Sequence, residues 1–139
     1  MKSDIDIKDD VYMVISASKL KTAVTGSLCK RQRPYYSKDS SRKEDICISV
    51  LANKTSQQQE VFVNVNIYVQ DQNVVRSGNT QKEENTERLR ELCKLSFLTL
   101  NQVHGTDFRL SIDEQRVVEC KDTSEHIINN KILYQTIND

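Results

Sequence analysis

Glycine and proline are scarce, at three and one in 139 residues. Collagen-like, glycine-looped and proline-rich architectures are thereby excluded. Net charge is absent too, because 20 Lys and Arg balance 20 Asp and Glu. A dedicated nucleic-acid binder normally carries a basic excess or a one-sided basic stripe. Uncharged stretches such as Val11 to Ser18 fall far short of the ~20 apolar residues that span a bilayer. The opening MKSDIDIKDD carries four aspartates and no apolar core, so it does not read as a secretory leader.

Catalytic signatures are equally missing. No GxxxxGK[ST] or GxGxxG run occurs, which removes phosphate cradling by a glycine loop. The two histidines, His104 and His126, lack the spaced partners of a zinc site. His104 reads instead as a cation near a helix C-terminus. Cys29, Cys47, Cys93 and Cys120 form no CxxC pair, and none falls at a helix N-terminus where its thiol would be activated. They read as free structural thiols of a reducing, cytosolic compartment. No catalytic residue, cofactor or metal is expected, and the chain reads as non-enzymatic.

What is present is pattern. A single domain over 1–139 is expected, with an N-terminal tail at 1–8 and exposed loops at 31–44 and 71–82. Three-to-four spacing of Val11, Val14, Ile15, Leu20, Ala23 and Val24 predicts one helix from Asp9 to Val24. Gly26 stands where a left-handed terminating residue would sit, with Lys19 and Lys21 near the negative end of the dipole. Ser27 to Lys30 predicts a short strand.

Period-two alternation predicts strands over Asp45–Asn53 and Glu60–Gln70, joined as an antiparallel hairpin through Lys54 to Gln59. Leu89, Leu92, Cys93, Ser96, Leu100 and Val103 form a second helical stripe, widened by Leu95, Phe97 and Leu98. Its onset falls at a Thr80-x-x-Glu83 capping box or near Thr86, and Glu84–Arg88 reads as an i,i+4 pair. Asp107–Ile112 and Arg116–Lys121 predict a short hairpin turning at Asp113-Glu114. Glu125–Ile137 closes the chain as a strand with Ile128, Ile132 and Tyr134 in phase. The sum is an α+β domain: a mainly antiparallel sheet with a long hairpin, packed against two helices.

Two surfaces carry the candidate interaction residues. In the 31–43 loop, Arg31, Arg33 and Arg42 interleave with Tyr35 and Tyr36. This combination can hold phosphates and stack bases, though Asp39, Glu44 and Asp45 dilute its charge. A solvated loop, or one that orders against a protein partner, is preferred over nucleic acid. On the Glu60–Gln70 strand, Asn64, Asn66 and Tyr68 share an uncharged polar face that suits either solvent or an intersubunit surface.

The element order, with Gly26, Arg33-Pro34, EDICISVLAN (Glu44 to Asn53), VNVNIYVQD (Val63 to Asp71), RLRELCKL (Arg88 to Leu95) and HIINNKILYQTI (His126 to Ile137), resembles the tail-terminator or tail-completion proteins of long-tailed bacteriophages. The resemblance implies a structural protein of a phage or prophage tail. It would be a ring, possibly a hexamer, capping the tail tube and joining it to the head connector. It implies no catalytic residues, no membrane, a bacterial cytoplasmic location during assembly, and then the virion tail. The alternative is a small bacterial adaptor domain that engages a protein or nucleic acid through the basic loop 30–43.

Overall fold

A computed structural model describes residues 1–54 and 58–137. The chain begins in helix almost at once. Ser3 caps helix α1 (Asp4–Ser16) through a reciprocal capping box with Asp6, and Ile7, Val11 and Ile15 form its buried stripe. The expected tail at 1–8 is therefore mostly helix. The single helix expected from Asp9 to Val24 is instead broken, because Ser18 caps a separate short helix, α2 (Lys19–Ala23). Lys21 lies in the last turn of α2, whereas Lys19 opens it.

Gly26 does not end a helix in the left-handed region, since Gly78 is the glycine with positive φ among the described residues. Its N–H donates to the Glu44 carbonyl at 3.0 Å. A β-carbon there would stand 2.4 Å from Oδ1 of Asp45, so only glycine fits.

The strands are β1 (Leu28–Cys29), β2 (Ile46–Lys54), β3 (Glu60–Gln70), β4 (Gln72–Arg76), β5 (Asn79–Glu83), β6 (Val103–His104), β7 (Phe108–Cys120) and β8 (Glu125–Thr136), with helix α3 (Thr86–Leu100) after β5. Six of them form one sheet in the order β1-β2-β3-β8-β7-β6, with β1–β2 parallel and every other pair antiparallel. The fold is α+β, as the sequence pattern predicts. The β2–β3 pairing agrees with the predicted hairpin, while residues 55–57 of its connector lie outside the described residues.

The expected loop at 71–82 is exposed but is itself a two-stranded hairpin, β4–β5, turning at Ser77 and Gly78. Both turn residues have positive φ, as a tight two-residue turn demands. Helix α3 consequently starts at Thr86 behind an Asn85 cap, and Thr80 and Glu83 are strand residues. Glu84 stands outside the helix; Arg88 bonds Glu44 and pairs with Glu91. The expected short hairpin around Asp113-Glu114 is one continuous strand, β7, carrying a bulge between Ile112 and Glu114. An extra residue breaks the alternation there just as a turn would.

One face of the sheet is sealed. Val61, Val63, Val65 and Ile67 are fully buried in a single cluster with Ile128, Ile132 and Tyr134 of β8, Ile7, Val11 and Ile15 of α1, and Leu92 and Leu100 of α3. Phe97 and Leu98 of α3 point outward, so that helix is buried on one side only, contrary to the widened apolar arc. Replacing Val65 by alanine at the centre of this cluster should cost about 1–3 kcal/mol through lost methyls and the cavity left behind. A denaturant midpoint unchanged from wild type would contradict the packing.

Candidate functional site

The opposite face of the sheet is where the chain spends its unusual chemistry. Side chains alternate across a strand, so Phe62, Asn64, Asn66 and Tyr68 project away from the helices, next to Leu133, Lys131, Asn129 and Ile127 of β8. All eight are partly exposed. Asn129 Nδ2 donates to Oδ1 of both Asn64 (3.1 Å) and Asn66 (2.7 Å), which holds the amides in one orientation. Lys131 lies over the Phe62 ring with its Nζ 4.5 Å from the centroid.

One end of this face is closed by the arm, residues 31–43. Arg33 ties the arm to the sheet within the single chain. The guanidinium grips Glu125 in a fork, with Nη1 to Oε1 at 2.8 Å and Nη2 to Oε2 at 3.0 Å. Its Nε donates to Asp45 Oδ2 at 3.0 Å and Nη2 to the Lys43 carbonyl at 2.9 Å. The plane rests on the Tyr68 ring, 3.9 Å from the centroid. Asp45 and Glu125 have no solvent exposure. Asp45 also accepts from the Tyr36 hydroxyl at 2.7 Å and the Ser27 backbone N–H at 2.8 Å.

Electrostatics follow from this packing. Burial disfavours the Arg33 charge, but the bonds to Glu125 and Asp45 outweigh it and raise the guanidinium pKa. Burial, followed by the bond to Asp45, lifts the Tyr36 phenol above its ordinary value, and burial chiefly does the same for Tyr68.

Of the residues singled out from sequence, the structure brings Arg33, Tyr36, Arg42 and Tyr68 together. Arg42 faces the Tyr36 ring at 5.8 Å and bonds Asp39 at 3.2 Å. Arg31 is exposed, Tyr35 is 90% exposed, and Asn64 and Asn66 belong to the open face. Beside the arm, Lys30 bonds Asp9 at 2.8 Å, so Lys30, Arg33 and Arg42 each have a carboxylate partner. Sequence reasoning missed Asp45 and Glu125, each of which reads as an ordinary charge at the start of a strand. His104 is an exposed strand residue paired with Arg109, beyond the C-cap of α3, which corrects its placement at the helix dipole. His126 Nδ1 meets Asp71. Among the described residues no group of three His, Cys, Asp or Glu side chains could hold a metal ion.

Removing the guanidinium should leave two carboxylates stranded. Arg33→Ala is expected to cost about 3–5 kcal/mol, whereas Arg42→Ala, which breaks a surface pair, should cost about 1 kcal/mol or less. Equal denaturant midpoints for the two variants would refute the anchoring role.

A second expectation concerns alkali. Burial, and then its neighbour Cys29, push the Cys47 thiol up to about 12. The folded protein therefore keeps a proton that the unfolded chain releases near pH ~8.5, so stability should fall as pH rises from there. Tyr36, Tyr68 and Tyr134, all raised, add to the decline above about pH 10. Denaturant midpoints at stepped pH check this, and a flat alkaline profile would contradict it.

No protein-family model matches this chain, and no curated protein matches it in sequence.

Proposed function

We propose that this protein is a non-enzymatic assembly protein that associates with copies of itself, in the manner of the phage tail terminators its element order resembles. In that role it caps a tail tube as a ring and joins it to a head connector. The observation that carries the reading is a sheet left open at both sides. Strand β1 covers only Ile46 and Cys47 of β2, and β6 covers only Arg109 and Leu110 of β7. Among the described residues, no strand pairs with the outer sides of 48–54 or 113–120. Unpaired edge groups recruit another strand unless something protects them. Here the two edges are different surfaces of one sheet, which is what a head-to-tail interface needs.

The exposed side chains around these edges agree. Val117 and Val118 of β7 are 44% and 41% exposed, and Leu51 on the β2 edge is 53% exposed. The adaptor alternative draws less support, because Arg33, Arg42 and Lys30 of the basic loop are engaged by Glu125, Asp45, Asp39 and Asp9. Among the described residues no helix is long and apolar enough to cross a membrane.

Sedimentation velocity, alone and with isolated tail tubes, tests the reading. Wild type should form a closed oligomer, alone or on the tube. Val118→Lys, which puts charge on the β7 edge, should return it to monomer without moving the denaturant midpoint. Tyr35→Ser should weaken tube binding and spare folding, since this side chain projects freely from the arm. A wild type that stays monomeric in both settings would sink the assembly reading in favour of the adaptor.

A further inference from the structure

Cys29 and Cys47 stand directly opposite each other in the parallel β1–β2 pair. Adjacent strands lie about 4.8 Å apart, inside the ~4.4–6.8 Å between α-carbons that a disulfide accepts. Register places both side chains on the same sheet face as Asn66 and Tyr68, since Cys29 pairs with Cys47 and Cys47 with Asn66. Cys93 lies on α3 and Cys120 at the end of β7, so neither has a cysteine opposite it in register. All four cysteines carry free thiols in this structure.

We infer that Cys29 and Cys47 form a dithiol–disulfide site, in which oxidation closes a covalent loop around the arm. The oxidant by chemical class is a low-molecular-weight disulfide such as oxidised glutathione. Cys29, deprotonated, attacks one sulfur of that disulfide; a mixed disulfide forms and one glutathione thiolate leaves. Cys47, deprotonated in turn, attacks the Cys29 sulfur, forming the protein S–S bond and expelling the second glutathione thiolate. The two protons lost by the cysteines go to solvent or to the departing thiolates, so one disulfide is reduced as another forms.

Cys29 takes the first step because it lies on the outermost strand β1, whereas Cys47 is flanked by β1 on one side and β3 on the other. The arm lies between the two cysteines in sequence and is pinned by Arg33, so a bridge at its root would hold Arg33 over Asp45 and Glu125 even when the chain is otherwise strained. This inference rests on strand register and is independent of the assembly reading.

The test equilibrates the full chain in glutathione buffers of stepped oxidation, quenches with iodoacetamide and maps the peptides by mass. The expected result is a Cys29–Cys47 linked peptide, lighter by two hydrogens, while Cys93 and Cys120 remain alkylated. Reduced glutathione should reverse it, and the bridged form should melt at a higher temperature than the dithiol. In Cys47→Ser, Cys29 should accumulate as a glutathione adduct instead. Wild type carrying separate glutathione adducts at Cys29 and Cys47, or oxidising first at Cys93 or Cys120, would overturn the assignment whether or not the variant folds.

Discussion

Two carboxylates without solvent contact, Asp45 and Glu125, share the single guanidinium of Arg33, and much of the surrounding geometry follows from the need to keep them paired. An isolated buried carboxylate costs several kcal/mol, and pairing offsets that only when the hydrogen bonds are complete. Here they come from every side: Arg33, Tyr36 and the Ser27 backbone on Asp45, and the Arg33 fork on Glu125. Asp45 must approach Gly26 so closely that no β-carbon is tolerated there, which sets the path from α2 into β1. That path places Leu28 and Cys29 alongside Ile46 and Cys47. The short parallel strand, the in-register thiols and the closed arm all depend on one charge cluster joining residues far apart in sequence.

A second polar cluster fastens the N-terminus. Lys2 Nζ bonds Asp10 at 2.6 Å, Asp107 at 2.8 Å and the Tyr134 hydroxyl at 3.0 Å. The Tyr134 ring below stacks on Phe108 with centroids 5.1 Å apart. Burial, and then the bond to Asp10, raise the Tyr134 phenol, which favours its neutral, hydrogen-donating form. A third tie, Arg88 to Glu44 and the Ala23 carbonyl, draws α3 onto the end of α2 beside Asp45. The molecule thus seals one sheet face with hydrocarbon and fixes its irregular segments with charge-assisted bonds, which add geometric specificity as well as energy.

The parts legible from sequence were those governed by period alone. Strand β3 runs from Glu60 to Gln70 as its alternation says, because every second residue faces the same sealed core. The stripe of Leu89, Leu92 and Leu100 marks α3 for the same reason. What was misread depends on local chemistry or distant partners. The bulge at Ile112/Glu114 mimics a turn, since one extra residue resets the alternation without reversing the chain. Val11 to Val24 keeps helical spacing across a break, because Ser18 can cap a new helix without disturbing the buried positions. Arg33 was legible as a candidate, but its role was not: its partners lie 12 and 92 residues away, and no short-range pattern reports them.

The open face and the open edges are linked by this same construction. Each strand whose outer side is largely uncovered carries a bulge, between Val50 and Ala52 in β2 and between Ile112 and Glu114 in β7. Bulges bend and twist an edge, which discourages indiscriminate pairing with flat strands. They do not forbid pairing with a strand of matching twist, and a second copy of the same sheet supplies one. The β2 edge offers the uncharged Ser49 and Leu51, and the β7 edge offers Val117 and Val118 between the charged Arg116 and Glu119. Successive copies would then turn by a fixed angle set by the sheet twist, and a fixed angle yields a closed ring when it divides the circle and a filament when it does not. In the proposed association the two bulges would bear on that angle, because each sets the local bend and twist that its strand offers to a partner.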